Sequence, residues 1–419
     1  MNNKYFRRRR ENLFNQMIPR SIAIVGSSDL VERNGGSNYR YRPHSTVYYL
    51  TGISTEPFVA VFYCDESGKR NYWLFANQRN EQKVRWEGEK INIAEAEQHG
   101  FDHAFALPDL VKVLQEKTKD CKYCYFQGNA DLHSTIKQIY NAVEVTPLEI
   151  LVNEMRLIKH TSELRAMSQA GRVALAGHRA CMEKARDGLG EYQLHALLLQ
   201  EFYSHGMEEA YPSIVASGER ACVLHYHDNN HKIKNGELVL IDAGAESNYY
   251  SSDITRVFPV SGKFTTPQRQ VYELVLSAQN SAIEKATTAH TIADVHHAAV
   301  EVLCHGLIDL GILGVSFEEV IEKKLYLHYY MHGTSHWLGM DVHDPGDYQI
   351  DNQPRLLEVG MVITVEPGLY LNHPSVPLAF KNIGIRIEDD VAITNTAPCV
   401  ISKGSYRTVD EIESLCVRD

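Results

Sequence analysis

No stretch of this chain approaches the roughly 18 consecutive apolar residues that a membrane-spanning helix requires, so no membrane partner is expected. Basic residues are the minority sign: 42 Lys+Arg stand against 53 Asp+Glu, for a net charge of −11. That balance argues against nucleic acid as a partner and against a surface drawn to anionic lipid. Cysteine is sparse, with eight residues in 419, at positions 64, 121, 124, 181, 222, 304, 399 and 416. Cys121-Lys-Tyr-Cys124 has CxxC spacing but no second pair to complete a zinc site, and it runs into a strand-like 123–126 instead of opening a helix. Reduced thiols and a cytoplasmic setting are the expectation. No apolar run of signal-peptide length follows Met1. Arg7 to Arg10 read as the solvated face of a first helix that buries Phe6, Leu13, Phe14 and Met17. No short-period repeat is visible.

What is present suits a globular protein: 44% hydrophobic and 23% charged residues, with chain enough for two or three domains of roughly 150 residues. The first third alternates strand-like runs (21–26, 58–63 and, after a turn at 65–68, 71–75) with helical patches at 107–117 and 131–142. The texture changes near Thr146-Pro147, which predicts an N-terminal α/β domain over 1–155 and a second domain over 156–419. In the second, Thr161/Ser162 with Glu163 predicts a capped helix to about 185, and another spans 192–205. Thr266-Pro267 reads as N-cap and first residue of a helix to about 286, and 292–310 is a further helix ending at Gly311. Helix pair then strand pairs occurs at 161–258 and again at 267–393, a coarse echo.

The chemistry gathers in four stretches. Leu238-Val-Leu-Ile-Asp-Ala-Gly244 and Ser252-Asp-Ile-Thr-Arg256 flank a polar connection and read as a hairpin. A register setting 242 opposite 253 would pair 240 with 255 and 238 with 257. Two aspartates would then share a face with Cβ atoms about 5 Å apart, which is destabilising unless a cation sits between them. The stretch 331–343 carries His332, His336 and His343, with glycines at 333 and 339. Val362 to Glu366 reads as a strand that ends on a glutamate and breaks at Pro367-Gly368, while Gly384, Arg386 and Glu388 share one face of a later strand. Gathered in one site, Asp242, Asp253, Glu366 and Glu388 carry four negative charges, each close pair costing roughly 4 kcal/mol at an effective dielectric near 20. Unaided, most of them would protonate. Two divalent cations balance the site, and oxygen-rich ligation with one imidazole suits Mn²⁺ better than a thiolate-type zinc site. That pattern points to a dinuclear hydrolase.

The words IDAG, SDITR, MHGTSHWLGMDVHD, TVEPGLY and GIRIEDD, in this order, resemble those of the Xaa-Pro aminopeptidases (aminopeptidase P). These are pita-bread metallopeptidases, akin to prolidase, methionine aminopeptidase and creatinase. The resemblance implies an α+β fold, with a C-terminal pita-bread (creatinase/aminopeptidase-like) catalytic domain behind an N-terminal α/β creatinase-like domain. It implies two divalent metal ions per chain, Mn²⁺ being the expected ion. Asp242 would chelate one, Asp253 and Glu388 would bridge both, and His336 and Glu366 would complete the second. A bridging hydroxide would attack the carbonyl before proline, with Glu366 as proton shuttle. His225 would line the substrate pocket, His332 and His343 would bond the substrate carbonyl or the gem-diolate, and Arg386 would orient Glu388. Tyr211 and Tyr370 correspond to positions in or behind the pocket. Trp86 is either a core residue or the tryptophan that enters a neighbour's site in a homo-oligomer, a dimer or tetramer. Substrates would be peptides with proline second.

Two departures from the family's wording stand out. Asn38 replaces a common acidic residue, which bears on recognition of the substrate's amino group, and Pro345-Gly346-Asp347 with the segment to Arg355 bears on substrate length. The alternatives are a prolidase restricted to Xaa-Pro dipeptides and a non-catalytic peptide- or histone-binding module of the same fold.

Overall fold

The computed structural model describes residues 3–402, 404 and 406–416. The chain divides between Met155 and Arg156 into two compact units.

The first unit is built on one six-stranded mixed sheet. Its spatial order is His103–Ala106, Arg70–Ala76, Phe58–Cys64, Ser21–Gly26, Tyr123–Gln127 and Val145–Pro147. The central strands are buried along their whole length, as expected when helices cover both faces of a sheet. The first helix, Asn3–Gln16, buries Phe6, Leu13 and Phe14 as anticipated, but also Arg9 and Arg10. Only Arg7 and Arg8 of the arginine run are exposed. Positions 6, 9, 10, 13 and 14 lie on one face at helical spacing, so two arginines were bound to turn inward. Arg9 stacks 4.1 Å from the Tyr49 ring and donates to the Tyr49 carbonyl; Arg10 lies 4.7 Å over Tyr72. Asn38 sits in an exposed two-stranded hairpin, Glu32–Asn34 with Ser37–Asn38. Trp86, on the short helix Glu81–Glu87, is 83% exposed, which rules out the core reading.

The second unit repeats a plan. Helices Thr161–Lys184 and Glu191–Ser204 precede the antiparallel strands Ile214–Ser217, Leu238–Asp242 and Thr255–Pro259. Helices Thr266–Lys285 and Ile292–Asp309 precede the ladders Val362–Val365 with Asp389–Ala392, and Gly368–Tyr370 with Gly384–Arg386. Helices and strands share one apolar core that includes Leu198, Ile241, Val257, Val275, Leu303, Ile363 and Ile385. The capping differs in detail from expectation. His160, not Thr161 or Ser162, caps the first helix, with Glu163 reaching back to it. Thr265, not Thr266, caps the third. All eight cysteines are free, and only Cys399 is not fully buried. Burial pushes the Cys121 and Cys124 thiols up to about 11 and about 12, so that CxxC pair is inert. Among the described residues no helix is long and apolar enough to cross a membrane.

Candidate active site

Asp242 lies opposite Thr255, Leu240 opposite Val257 and Leu238 opposite Pro259. The predicted register is therefore off by two. The connection explains it: Ala245–Ser247 pairs with Tyr250–Ser251 in the same register, and the turn closes on Asn248 and Tyr249, both at positive φ. Moving the turn by one residue shifts the pairing by two, and so keeps every side chain on its face. Asp253 thus stands diagonal to Asp242. The ladder is interrupted between them, where the Ser252 carbonyl oxygen comes within 1.7 Å of where a Cβ on Gly244 would be. Only glycine fits there.

The glutamates come from a second interruption. Val365 pairs with Asp389 and Gly368 with Arg386, and both ladders hold one register across the gap. Glu366 and Glu388 therefore face each other at the break that Pro367 makes by lacking an N–H. His336 is delivered by a third segment lying along the strand Val362–Val365, bonded through Thr364 N to His336 O at 3.1 Å and Glu366 N to Thr334 O at 2.9 Å. The loop bearing His343 is closed by Asp344, whose carboxylate takes Arg156 at 2.6 Å and Lys159 at 3.1 Å, both side chains almost fully buried.

These elements bring Asp242, Asp253, His336, Glu366 and Glu388 to one cavity of about 440 Å³, together with His225, His332, His343, Arg386 and Tyr211. Tyr370 stands behind it, bonded to His332 Nε2 at 2.8 Å and accepting from Arg386 at 2.9 Å. Tyr211, expected in or behind the pocket, sets its hydroxyl between the two aspartates, 2.7 Å from Asp242 and 2.6 Å from Asp253, with one proton for the two. Arg386 departs from its expected partner: it donates to Asp242 at 2.6 Å and to the Thr255 hydroxyl at 3.1 Å. Thr255 in turn donates to Glu388 at 2.7 Å. Guanidinium and carboxylate share a face as predicted, but a hydroxyl stands between them. Thr255 shares the face of Asp253 within SDITR, which was the available signal. An apolar wall beside imidazoles was expected, but its residues, Pro212, Ile214, Leu224 and Val342, and the extra imidazole of His227, were not singled out.

The site concentrates negative charge in a buried cavity. Burial pushes the carboxyls of Asp242 and Glu388 above the ordinary range and Glu366 up to about 7. Burial would raise Asp253 too, but the bond and charge of His336 hold it down. The same contact, with the charge of Glu366, overcomes burial and lifts His336 to about 9. His332 goes the other way, to about 4, through burial and the nearby Arg386. Buried carboxylates that repel one another, and an imidazole buried near a guanidinium, shift in these directions.

The residues fit a divalent cation. The ligand atoms of Asp253, His336 and Glu388 lie within 4.8 Å of one another. His336 Nδ1 bonds the Trp337 carbonyl at 3.0 Å, which turns Nε2 toward Asp253 at 3.4 Å and Glu366 at 3.5 Å. An imidazole held through one nitrogen with the other facing carboxylates is the usual arrangement of a ligating histidine.

An α+β unit with interrupted ladders around a carboxylate-rich cavity defines a class, the metallohydrolases with oxygen-dominated centres. Residues 165–395 match the model of metallopeptidase family M24, and residues 6–126 match that of the aminopeptidase P N-terminal domain. The chain belongs to metallopeptidase family M24, and its fold is the pita-bread catalytic domain preceded by an N-terminal α/β domain. It is 37% identical to the Xaa-Pro aminopeptidase of Haemophilus influenzae, over 98% of this chain and 96% of that one. It is likewise 37% identical to the Xaa-Pro aminopeptidase of Escherichia coli, covering 98% and 97%. The structure of aminopeptidase PepP from Pseudomonas aeruginosa superposes with a TM-score of 0.95 at 36% identity, covering 99% of this chain and 98% of that one.

Proposed function

We propose that this chain is an Xaa-Pro aminopeptidase, removing the first residue from peptides with proline second. The observation that carries this reading is the convergence of Asp242, Asp253, His336, Glu366 and Glu388 on one cavity, in a chain so similar to named Xaa-Pro aminopeptidases. Those five residues would hold the divalent cations, Mn²⁺ being the ion their oxygen-rich set with one imidazole suits. When bound, the ions polarise the scissile carbonyl and lower the pKa of water. The protein supplies the rest. Glu366 takes the proton of the attacking water and returns it to the departing proline nitrogen. His343 and His225, on the cavity wall, donate to the carbonyl oxygen as it gains charge. His332, whose Nδ1–H goes to the Gly333 carbonyl, offers Nε2 as an acceptor to a hydroxyl of the gem-diol once it exchanges the Tyr370 hydroxyl for substrate, and Arg386 holds Asp242 in place.

Proline selectivity has a physical motive: the Xaa-Pro bond has no N–H, so the site needs no acceptor for one. Pro212, Ile214, Leu224 and Val342 offer the ring an apolar wall beside the imidazoles. The unit over 156–419 carries the catalysis. The N-terminal unit serves assembly, its exposed Trp86 reaching a neighbouring subunit in a dimer or tetramer. Eight free thiols suit the cytoplasm.

Hydrolysis of Xaa-Pro, Xaa-Pro-Pro and longer peptides, with and without added Mn²⁺, tests the reading. Metal-dependent release of the first residue from the longer peptides supports it. Turnover confined to the dipeptide would make the chain a prolidase, and no turnover with Mn²⁺ bound would leave the non-catalytic alternative.

A further inference from the structure

We infer that the buried ion pair Arg256–Asp389 is a positioning device for the metal centre, fixing the spacing of the strands that carry its ligands. This rests on the reading that Asp253 and Glu388 hold cations. Alternation along the strands sets the geometry. Asp253 and Thr255 face the cavity, so Arg256 points to the other side; Glu388 faces the cavity, so Asp389 points away. There the two meet at 2.7 Å with both side chains 0% exposed.

A buried pair of this kind is no argument for stability, because apolar residues of similar volume would serve the fold as well or better. What the charges provide that apolar side chains cannot is a set of bonds to the main chain beside the ligands. Arg256 Nη1 donates to the carbonyl of Glu388 itself at 2.6 Å and to that of Thr255 at 3.0 Å. Gln279, on the helix Thr266–Lys285, donates to Asp389 at 3.1 Å and to the carbonyl of Val365, next to Glu366, at 3.2 Å. Ser402 donates to Asp389 at 2.9 Å. Its oxygen also accepts the N–H of Asp390, whose carboxylate receives the N–H of Asp253 at 3.1 Å. One dry hub therefore holds backbone at or beside three of the four carboxylate ligands without touching the cavity. Metal–ligand distances tolerate only a few tenths of an ångström, so a shift between these strands is felt as lost affinity.

The test is Mn²⁺ titration calorimetry with thermal unfolding of the metal-free protein, on the full chain. The variants are Asp389→Asn, Arg256→Lys, Ser402→Ala, the apolar double replacement Arg256→Met with Asp389→Leu, and Asp253→Asn as a ligand control. Partners behind a ligand typically contribute 10- to 100-fold in metal affinity. The double replacement is expected to stay folded yet bind Mn²⁺ about 10- to 100-fold more weakly, with Arg256→Lys and Ser402→Ala losing less. If the double replacement does not fold, those two milder variants carry the measurement. Affinities within twofold of wild type in the folded variants, whatever their unfolding temperatures, overturn the inference alone, provided Asp253→Asn is defective. A wild type that takes up no Mn²⁺, or an Asp253→Asn variant that binds like wild type, overturns the ligand assignment and this inference with it.

Discussion

The two halves of the second unit solve one problem by different means. Each must carry two acids on adjacent antiparallel strands, and each interrupts its ladder to do so. The first half breaks at Ala243-Gly244, where the Ser252 carbonyl closes on a residue without a side chain. The second breaks at Glu366-Pro367, where a proline withholds its N–H. The bracing helices differ in the same way. His178, on the helix Thr161–Lys184, meets the carbonyl of Ala243 beside Asp242 at 3.0 Å. Gln279, on the helix Thr266–Lys285, meets the carbonyl of Val365 beside Glu366. A titratable ring does in one half what a neutral amide does in the other. Like charges facing each other across a strand pair are unfavourable, so neither half is comfortable alone. Arg386 of the second half neutralises Asp242 of the first, and Thr255 of the first bonds Glu388 of the second.

The sharpest way to separate the halves is chemical. Glu366→Gln is expected to lower kcat about 10²- to 10⁴-fold while substrate still binds, since only this acid moves a proton. If Asp242→Asn lowers kcat as much with Mn²⁺ fully bound, the division of labour between the halves is wrong. Next come the breaks. Gly244→Ala must displace a backbone carbonyl and is expected to cost about 3 kcal/mol or more in urea unfolding. Pro367→Ala, which removes no close approach, is expected to cost about 1 kcal/mol. Equal costs would mean that the two breaks are equivalent after all.

The braces should part with pH. Burial holds His178 down to about 4, against an ordinary value near 6.5. The unfolded chain therefore takes up a proton first as pH falls. The contribution of His178 is complete above about 6.5 and is lost progressively toward about 4, roughly 3 kcal/mol in all. The free energy of unfolding of the metal-free protein should thus fall more steeply between pH 6.5 and 4.5 than that of His178→Gln. Parallel curves would show that the ring is not held neutral. The smallest effect is expected for Tyr211→Phe. It removes the hydroxyl that both aspartates share while Arg386 still serves Asp242 and His336 still serves Asp253, so about 1 kcal/mol of stability should go in the metal-free protein. Excess Mn²⁺ should mask most of that loss.

Much of the second unit was legible because its strands alternate cleanly and its acids break that alternation. Asp242, Asp253, Glu366 and Glu388 stood out as charges on apolar runs, and the echo between 161–258 and 267–393 foreshadowed the repeated plan. Partners were not legible. That Arg386 reaches Asp242 while Thr255 serves Glu388 depends on side-chain length across three strands, which no spacing encodes. The two-residue slip at 242 arose because Asn248 and Tyr249 both adopt positive φ, an unusual choice for tyrosine. Arg9 and Arg10 were misjudged for the opposite reason. Helical spacing placed them inward beside Phe6, and their charge was allowed to outweigh their position. Aromatic rings and main-chain carbonyls near the helix made that burial affordable.

The cysteines give the second half a handle that the first lacks. Cys399 is the least covered of the eight cysteines, and its strand, Cys399–Val400, pairs with Val391 and Ala392 at the far end of the ladder from Glu388. A maleimide dye added to the native protein would settle there first. Its fluorescence could then follow motion of that sheet during turnover, with no engineered label.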